Sequence, residues 1–167
     1  MCIRDRWNID DKRWNETINT NLSLTFNTSR EFLKHASKTK QGSLVLVGST
    51  AGIYGEAGHS DYAAAKGAII SGLLNTLKNE VAQIGDGVRV NAVAPGWTLT
   101  DKKLKDSLDD SDVKKITSTM ALKKLATPED VANSIVMLAS NKLSNHVTGQ
   151  IIEIAGGMEG RQITGIK

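Results

Sequence analysis

An α/β fold built on a parallel sheet is what the sequence predicts, and three observations predict it. Short apolar runs alternate along the chain with longer stretches whose apolar residues recur at helical spacing. In the run Ser43-Leu44-Val45-Leu46-Val47 the apolar residues are nearly continuous, as in a parallel strand covered on both faces. No long period repeats and no low-complexity linker interrupts the order, so a solenoid or a string of small modules is excluded.

The first element is a helix over residues 11–37. Asp10 can cap it, and Ile9 and Trp14 occupy the two positions of a hydrophobic staple. Trp14, Ile18, Leu22, Phe26 and Leu33 then draw an apolar stripe. Ser43-Leu44-Val45-Leu46-Val47 is the first strand, ending in the small-residue turn Gly48-Ser49-Thr50-Ala51-Gly52. A second helix over 61–84 is stopped by Gly85-Asp86-Gly87, and Val88-Arg89-Val90-Asn91-Ala92-Val93 is the next strand, broken by Pro95-Gly96. Residues 101–119 carry five Lys and five Asp with weak periodicity and read as a mobile, partly helical loop. Thr127-Pro128-Glu129-Asp130 starts a helix that runs to about Ser140: Thr caps, Pro takes the first helical position, and two carboxylates complement the dipole. Gln150-Ile151-Ile152-Glu153-Ile154-Ala155 is the last strand, closed by Gly156-Gly157.

Composition narrows the function classes. The single cysteine, Cys2, excludes a disulfide framework and a Cys-rich metal site. No apolar run approaches the roughly 20 residues a membrane-spanning helix needs, and the first residues lack the apolar core of a signal peptide. The expectation is a soluble, cytoplasmic chain without a membrane partner. The net charge of +3 comes entirely from residues 1–40, which hold 8 basic and 5 acidic side chains; the remainder is balanced. With aromatics at 4% and no concentrated basic face, nucleic-acid binding is not expected.

Tyr62-Ala63-Ala64-Ala65-Lys66 is the most informative spacing. On a helix Tyr62 and Lys66 stand at i and i+4 and share a face. A free tyrosine titrates near about 10, and a neighbouring ammonium favours the phenolate, so the pair is expected to bring Tyr62 towards the working range of an acid/base group. Three alanines between them leave room for a flat ligand. An ordinary surface Tyr–Lys pair is the plainer alternative. Ser49, thirteen positions before Tyr62, raises the weight of the chemical reading. It ends a buried strand at the carboxyl edge, where open α/β sheets place ligands, and its hydroxyl can donate to a substrate carbonyl. As a plain turn serine it would only satisfy local backbone. A serine-hydrolase elbow is excluded because Gly48-Ser49-Thr50-Ala51 lacks the second glycine, and His59 has no acid placed to complete a triad.

Ser49, Tyr62 and Lys66, followed by Asn91-Ala92-Val93-Ala94-Pro95-Gly96, by Thr127-Pro128-Glu129-Asp130-Val131-Ala132 and by Val147-Thr148-Gly149-Gln150, resemble the short-chain dehydrogenase/reductase family across residues 8–160. The resemblance implies the C-terminal part of a Rossmann-like, doubly wound parallel sheet. It implies an oxidoreductase that uses NAD or NADP and interconverts a small-molecule secondary alcohol and a carbonyl without a metal. Tyr62 is then the general acid/base and Ser49 polarises the substrate oxygen. Lys66 holds the nicotinamide ribose, and Asn21 supports a proton-relay water. Pro95 and Gly96 let the backbone approach the nicotinamide, with Thr98 and Thr100 near its carboxamide; Thr98 stands where the family usually has Val or Ile, so only a backbone contact carries over there. Tyr54, His59, Trp97 and a lid over 101–119 would surround the substrate, although Trp97 serves equally as core packing. The helices 11–37 and 61–84 resemble those that pack between subunits, which implies a homo-oligomer. A non-catalytic assembly or binding module on the same scaffold is the competing reading.

Two family elements have no match. The Gly-rich turn that receives the pyrophosphate is missing from the sequence, and so is the Asn-Asn-Ala-Gly run that precedes the first long helix. The expectation is a chain lacking the first strands of the sheet, inactive alone, with the choice between NAD and NADP unreadable. Residues 1–7 are expected to be a non-native leader, since Met1-Cys2-Ile3-Arg4-Asp5-Arg6 resembles a translated sequencing-adapter end, and 8–167 a single partial dehydrogenase domain.

Overall fold

A computed structural model describes residues 8–100 and 108–158. The expected leader 1–7 and the first part of the expected lid, 101–107, lie outside the described residues.

The first helix begins where Asp10 predicts: its side chain accepts from the Arg13 N–H at 2.8 Å. It is not one regular helix. Helix α1 (Asp11–Ile18) passes through a π turn (Asn19–Ser23) into α2 (Leu24–Thr39), which ends on Lys40 in the left-handed region at φ 56°. Strand β1 (Gln41–Val47) starts two residues earlier than its apolar run. The stretch after it is a short helix, α3 (Thr50–Tyr54), in place of the expected turn, because Ser49 caps it. Helix α4 (Ser60–Gly67), a second π turn (Ala68–Leu73) and α5 (Leu74–Ile84) make up the second long helix. A π turn carries one extra residue, which rephases a helix without ending it. Here it buries the consecutive Ile69 and Ile70 and leaves Leu74, Leu77 and Val81 on the core-facing stripe.

Strand β2 (Gly87–Pro95) is buried along nearly its whole length. Helix α6 (Asp110–Thr117), capped by Asp109, gives the second part of the expected loop regular structure. Helix α7 (Pro128–Ala139) carries a full capping box between Thr127 and Asp130, as its sequence announces. The short α8 (Asn141–Ser144) and strand β3 (Ile151–Ile154) follow.

The three strands form a parallel sheet in the order β1-β2-β3, with Leu44 opposite Val90 and Ala92 opposite Ile151. Helices cover both faces. Leu46, Val88, Val90 and Ala92 point into a core with Ala36 of α2 and Leu74, Leu77 and Val81 of α5. On the other face α7 packs across all three strands. There the buried Arg89 donates to the carbonyls of Leu138, Ala139 and Val147 and to Asn141 Oδ1, closing the C-terminus of α7. Asn91, fully buried, donates to Val147 O at 2.8 Å and accepts from Gln150 N–H at 3.0 Å. These two polar residues in an apolar strand fasten the segment that leads into β3.

Candidate functional site

The carboxyl ends of β1 and β2 gather the residues of interest. Gly48 extends the β1 ladder by donating to Val93 O at 2.8 Å, and Ser49 then leaves the sheet in extended conformation to cap α3. Its hydroxyl oxygen accepts from the Ala51 N–H at 3.2 Å. Helix α3 packs on α4 at a glycine: a Cβ on Gly52 would lie 2.6 Å from Gly67 N and 2.6 Å from the Lys66 carbonyl carbon. That close approach sets the distance between the helix that carries Ser49 and the one that carries Tyr62 and Lys66.

Ser49, Tyr62 and Lys66 come together. Tyr62 is half-buried and within reach of Ser49, whose side chain acts on its hydroxyl to favour the phenolate. Lys66 Nζ lies 5.6 Å from the centroid of the Tyr62 ring and donates to Val47 O at 2.9 Å. Burial pushes the Tyr62 phenol up; the Ser49 hydrogen bond pulls it down and the Glu56 carboxylate pushes it up again, leaving it above its ordinary value. This corrects the expected downward shift. Lys66 sits over the ring and bonds to backbone, so its charge does not offset the desolvation of the phenol. Burial pushes the Lys66 ammonium down. Of the three intervening alanines, only Ala64 is exposed and Ala65 is fully buried in the core.

The other predicted residues take varied places. Asn21 lies inside the first π turn, which packs against α4, and its amide donates to Thr17 O at 3.0 Å. His59 is buried at the start of α4, with Nδ1 3.2 Å from Ala57 O and 3.7 Å from Glu56 Oε1. Tyr54 ends α3 with an exposed ring, and its hydroxyl donates to Glu153 Oε2 of β3 at 2.8 Å. Pro95 closes β2. Gly96 follows it and packs so near Ala155 that a Cβ would lie 3.0 Å from the alanine Cβ. A side chain there would crowd the residue that follows β3. Trp97 is half-buried; its carbonyl accepts from Ala126 N–H, and Leu99 N–H donates to Ala126 O, so Thr98 sits in an isolated parallel bridge with Ala126. The Thr98 hydroxyl turns back to Gly96 O at 3.2 Å, and Thr100 is exposed.

One group escaped the sequence reading. Asp61, beside Tyr62, is 1% exposed, and its Oδ2 accepts from Arg13 Nε at 3.0 Å and from the Thr17 hydroxyl at 2.8 Å. Burial pushes this carboxyl up, but the bonds from Arg13 and Thr17, the Tyr62 backbone N–H and the Arg13 charge together hold it below its ordinary value. Only the adjacency of Asp61 to Tyr62 could have drawn attention to it, because its partners lie far away in the chain.

The residues present fit one end of a dinucleotide. An ammonium and a phenol converge at the carboxyl end of a parallel strand, the arrangement that can grip a ribose and a reacting oxygen together. Among the described residues no group of His, Cys, Asp and Glu is placed to hold a metal ion, and no helix is long and apolar enough to cross a membrane.

Comparison with known proteins agrees in sequence and in shape. The family described as enoyl-(acyl carrier protein) reductase matches residues 4–159. The 3-oxoacyl-[acyl-carrier-protein] reductase of Thermotoga maritima is 38% identical over 148 residues, covering 89% of this chain and 58% of that protein. A 4-hydroxyisoleucine dehydrogenase mutant solved with NADH and succinate superposes at TM-score 0.86 with 26% identity, over 96% of this chain and 65% of that one. ElxO, solved with NADP bound, superposes at TM-score 0.84 with 30% identity, over 96% of this chain and 64% of that one. The chain thus spans 58% of the length of the curated relative named here.

Proposed function

The chain belongs to the short-chain dehydrogenase/reductase family, and from that premise we propose that it is the catalytic part of an NAD(P)-dependent oxidoreductase that interconverts a secondary alcohol and a carbonyl. The observation that carries this reading is Lys66 Nζ 5.6 Å from the centroid of the Tyr62 ring, with Ser49 acting on the Tyr62 hydroxyl, at the carboxyl end of β1.

NAD(H) or NADP(H), when bound, supplies or accepts the hydride. Lys66 would hold the nicotinamide ribose, with the backbone after Pro95 and Gly96 and the region of Thr98 and Thr100 beside the ring. Ser49 donates to the substrate oxygen and so polarises the carbonyl. In reduction Tyr62 gives its phenolic proton to that oxygen, and in oxidation the phenolate takes it back. Raised above its ordinary value, Tyr62 is protonated at neutral pH and is therefore poised for reduction. Asn21, in the π turn against α4, supports a water that returns protons to the site. Tyr54, His59 and Trp97 line the approach of the substrate. The pyrophosphate needs a Gly-rich turn that this sequence does not contain, so the chain alone is inactive.

A second copy of the chain is the proposed partner. Leu22, Phe26, Leu33, Ala68, Leu73 and Leu77 line a groove of ≈ 580 Å³ along α2 and the second long helix, with Phe26 51% exposed. The working compartment is taken to be the cytoplasm.

The test joins the chain to the phosphate-binding strand, turn and helix of a relative and assays a carbonyl panel with NADH and NADPH. Tyr62→Phe should abolish turnover and leave cofactor affinity intact. Turnover unchanged by that substitution removes Tyr62 from the reaction.

A further inference from the structure

We propose that Asp61, held by Arg13 and Thr17, is a positioning residue that sets the Tyr62 hydroxyl against Ser49; the inference rests on the reading of Tyr62 and Ser49 given above. The first ground is that the carboxylate is buried at a disadvantage. Asp61 is 1% exposed, and its Oδ1 has no hydrogen-bond partner among the described residues. Burying a charge with one oxygen unsatisfied lowers stability relative to a well-packed neutral side chain. A packed apolar set in place of the pair would stabilise as well, although removing one partner alone is costly, and what the pair does well is fix geometry. Arg13 Nε at 3.0 Å and the Thr17 hydroxyl at 2.8 Å, one helical turn apart on α1, converge on the single oxygen Oδ2.

The second ground is where this contact falls on α4. His59, at the N-cap, makes no side-chain capping bond, so the start of the helix is not fixed by the usual local device. Asp61 instead ties the first turn to α1. At its other end α4 is fixed by the meeting of Gly52 with Lys66 and Gly67. A helix held near both ends cannot pivot. Released at the Asp61 end, the first turn of α4 loses its side-chain tie to α1, and Tyr62, the next residue after Asp61, loses the restraint on its position. Ser49 does not follow, because it is anchored on β1 and α3.

The test needs no activity. The chain has only 2 tyrosines, so Tyr54→Phe leaves Tyr62 alone. With 13Cζ-labelled tyrosine, the single resonance at neutral pH reports the hydrogen bond at the Tyr62 hydroxyl. Ser49→Ala should shift it in the Tyr54→Phe chain. In chains that also carry Asp61→Asn or the milder Thr17→Val, the same substitution should shift it by less than half as much. Thr17→Val keeps the ion pair and carries the test should Asp61→Asn fail to fold by circular dichroism. Equal shifts in all backgrounds overturn the positioning role and leave the Tyr62–Ser49 pair standing. No shift in the Tyr54→Phe background overturns both.

Discussion

At the scale of single residues, Asp61 makes the molecule sensitive to acid in a defined direction. Its folded pKa is depressed, after burial is outweighed by Arg13, Thr17 and the Tyr62 N–H. Such a group contributes stability that is fully present above its unfolded pKa of about 3.9 and is lost as pH falls through the lower folded value. Asp61→Asn should therefore lower the urea-unfolding free energy at pH 7 by about 2 kcal/mol. The gap between the two chains should close below about pH 4. A gap independent of pH would show that shape, and not charge, accounts for the loss. Tyr62 illustrates what a sequence reveals at this scale. The partnership with Lys66 was legible, because four residues on a helix always share a face. The direction of the phenol's shift was not, because burial and the Glu56 carboxylate come from the assembled fold. Asp61 was illegible for the same reason: its guanidinium partner lies 48 residues away.

Elements were read best where their signals are local. The capping box of α7 closes within three residues, with Thr127 N–H donating to Asp130 Oδ2 at 2.8 Å and Asp130 N–H to the Thr127 hydroxyl oxygen at 3.2 Å. Thr127→Ala should destabilise the chain by about 1 kcal/mol in urea titration. The π turns were missed because each adds one residue to a helical stripe, and a stripe of Leu and Ile tolerates that shift of phase. Nor did the glycines of 48–52 announce a helix crossing; they read as a turn. Gly52→Ala tests the crossing, since its Cβ would meet backbone and the backbone must yield. A loss of about 2 kcal/mol is expected. The Tyr62 13Cζ resonance should move as well, because the Lys66–Gly67 segment cannot retreat without carrying α4. An unmoved resonance would mean that α3 absorbs the strain.

For the molecule as a whole, the order of strands and helices was legible from alternation alone, and the sheet is parallel as that alternation requires. What alternation could not supply is which edge stands open. Among the described residues β1 has a neighbour only on the β2 side, and Val47 at its end is 44% exposed. An unpaired parallel edge is a template for other chains. The chain should therefore associate with rising concentration in sedimentation velocity and bind dinucleotide weakly, and Val47→Glu should reduce the association. A monomer with micromolar affinity for NADH would contradict both statements. The register has a further consequence, in time. Gln41 pairs with Gly87 and Ala92 with Ile151, so each ladder forms only after a long intervening segment has been made and folded back. Closing loops of that size slows folding, so the local helices are expected to form ahead of the sheet they cover. Until Gly87–Pro95 has been made, β1 has no partner on its β2 side, and the nascent chain is open to misassociation along that edge.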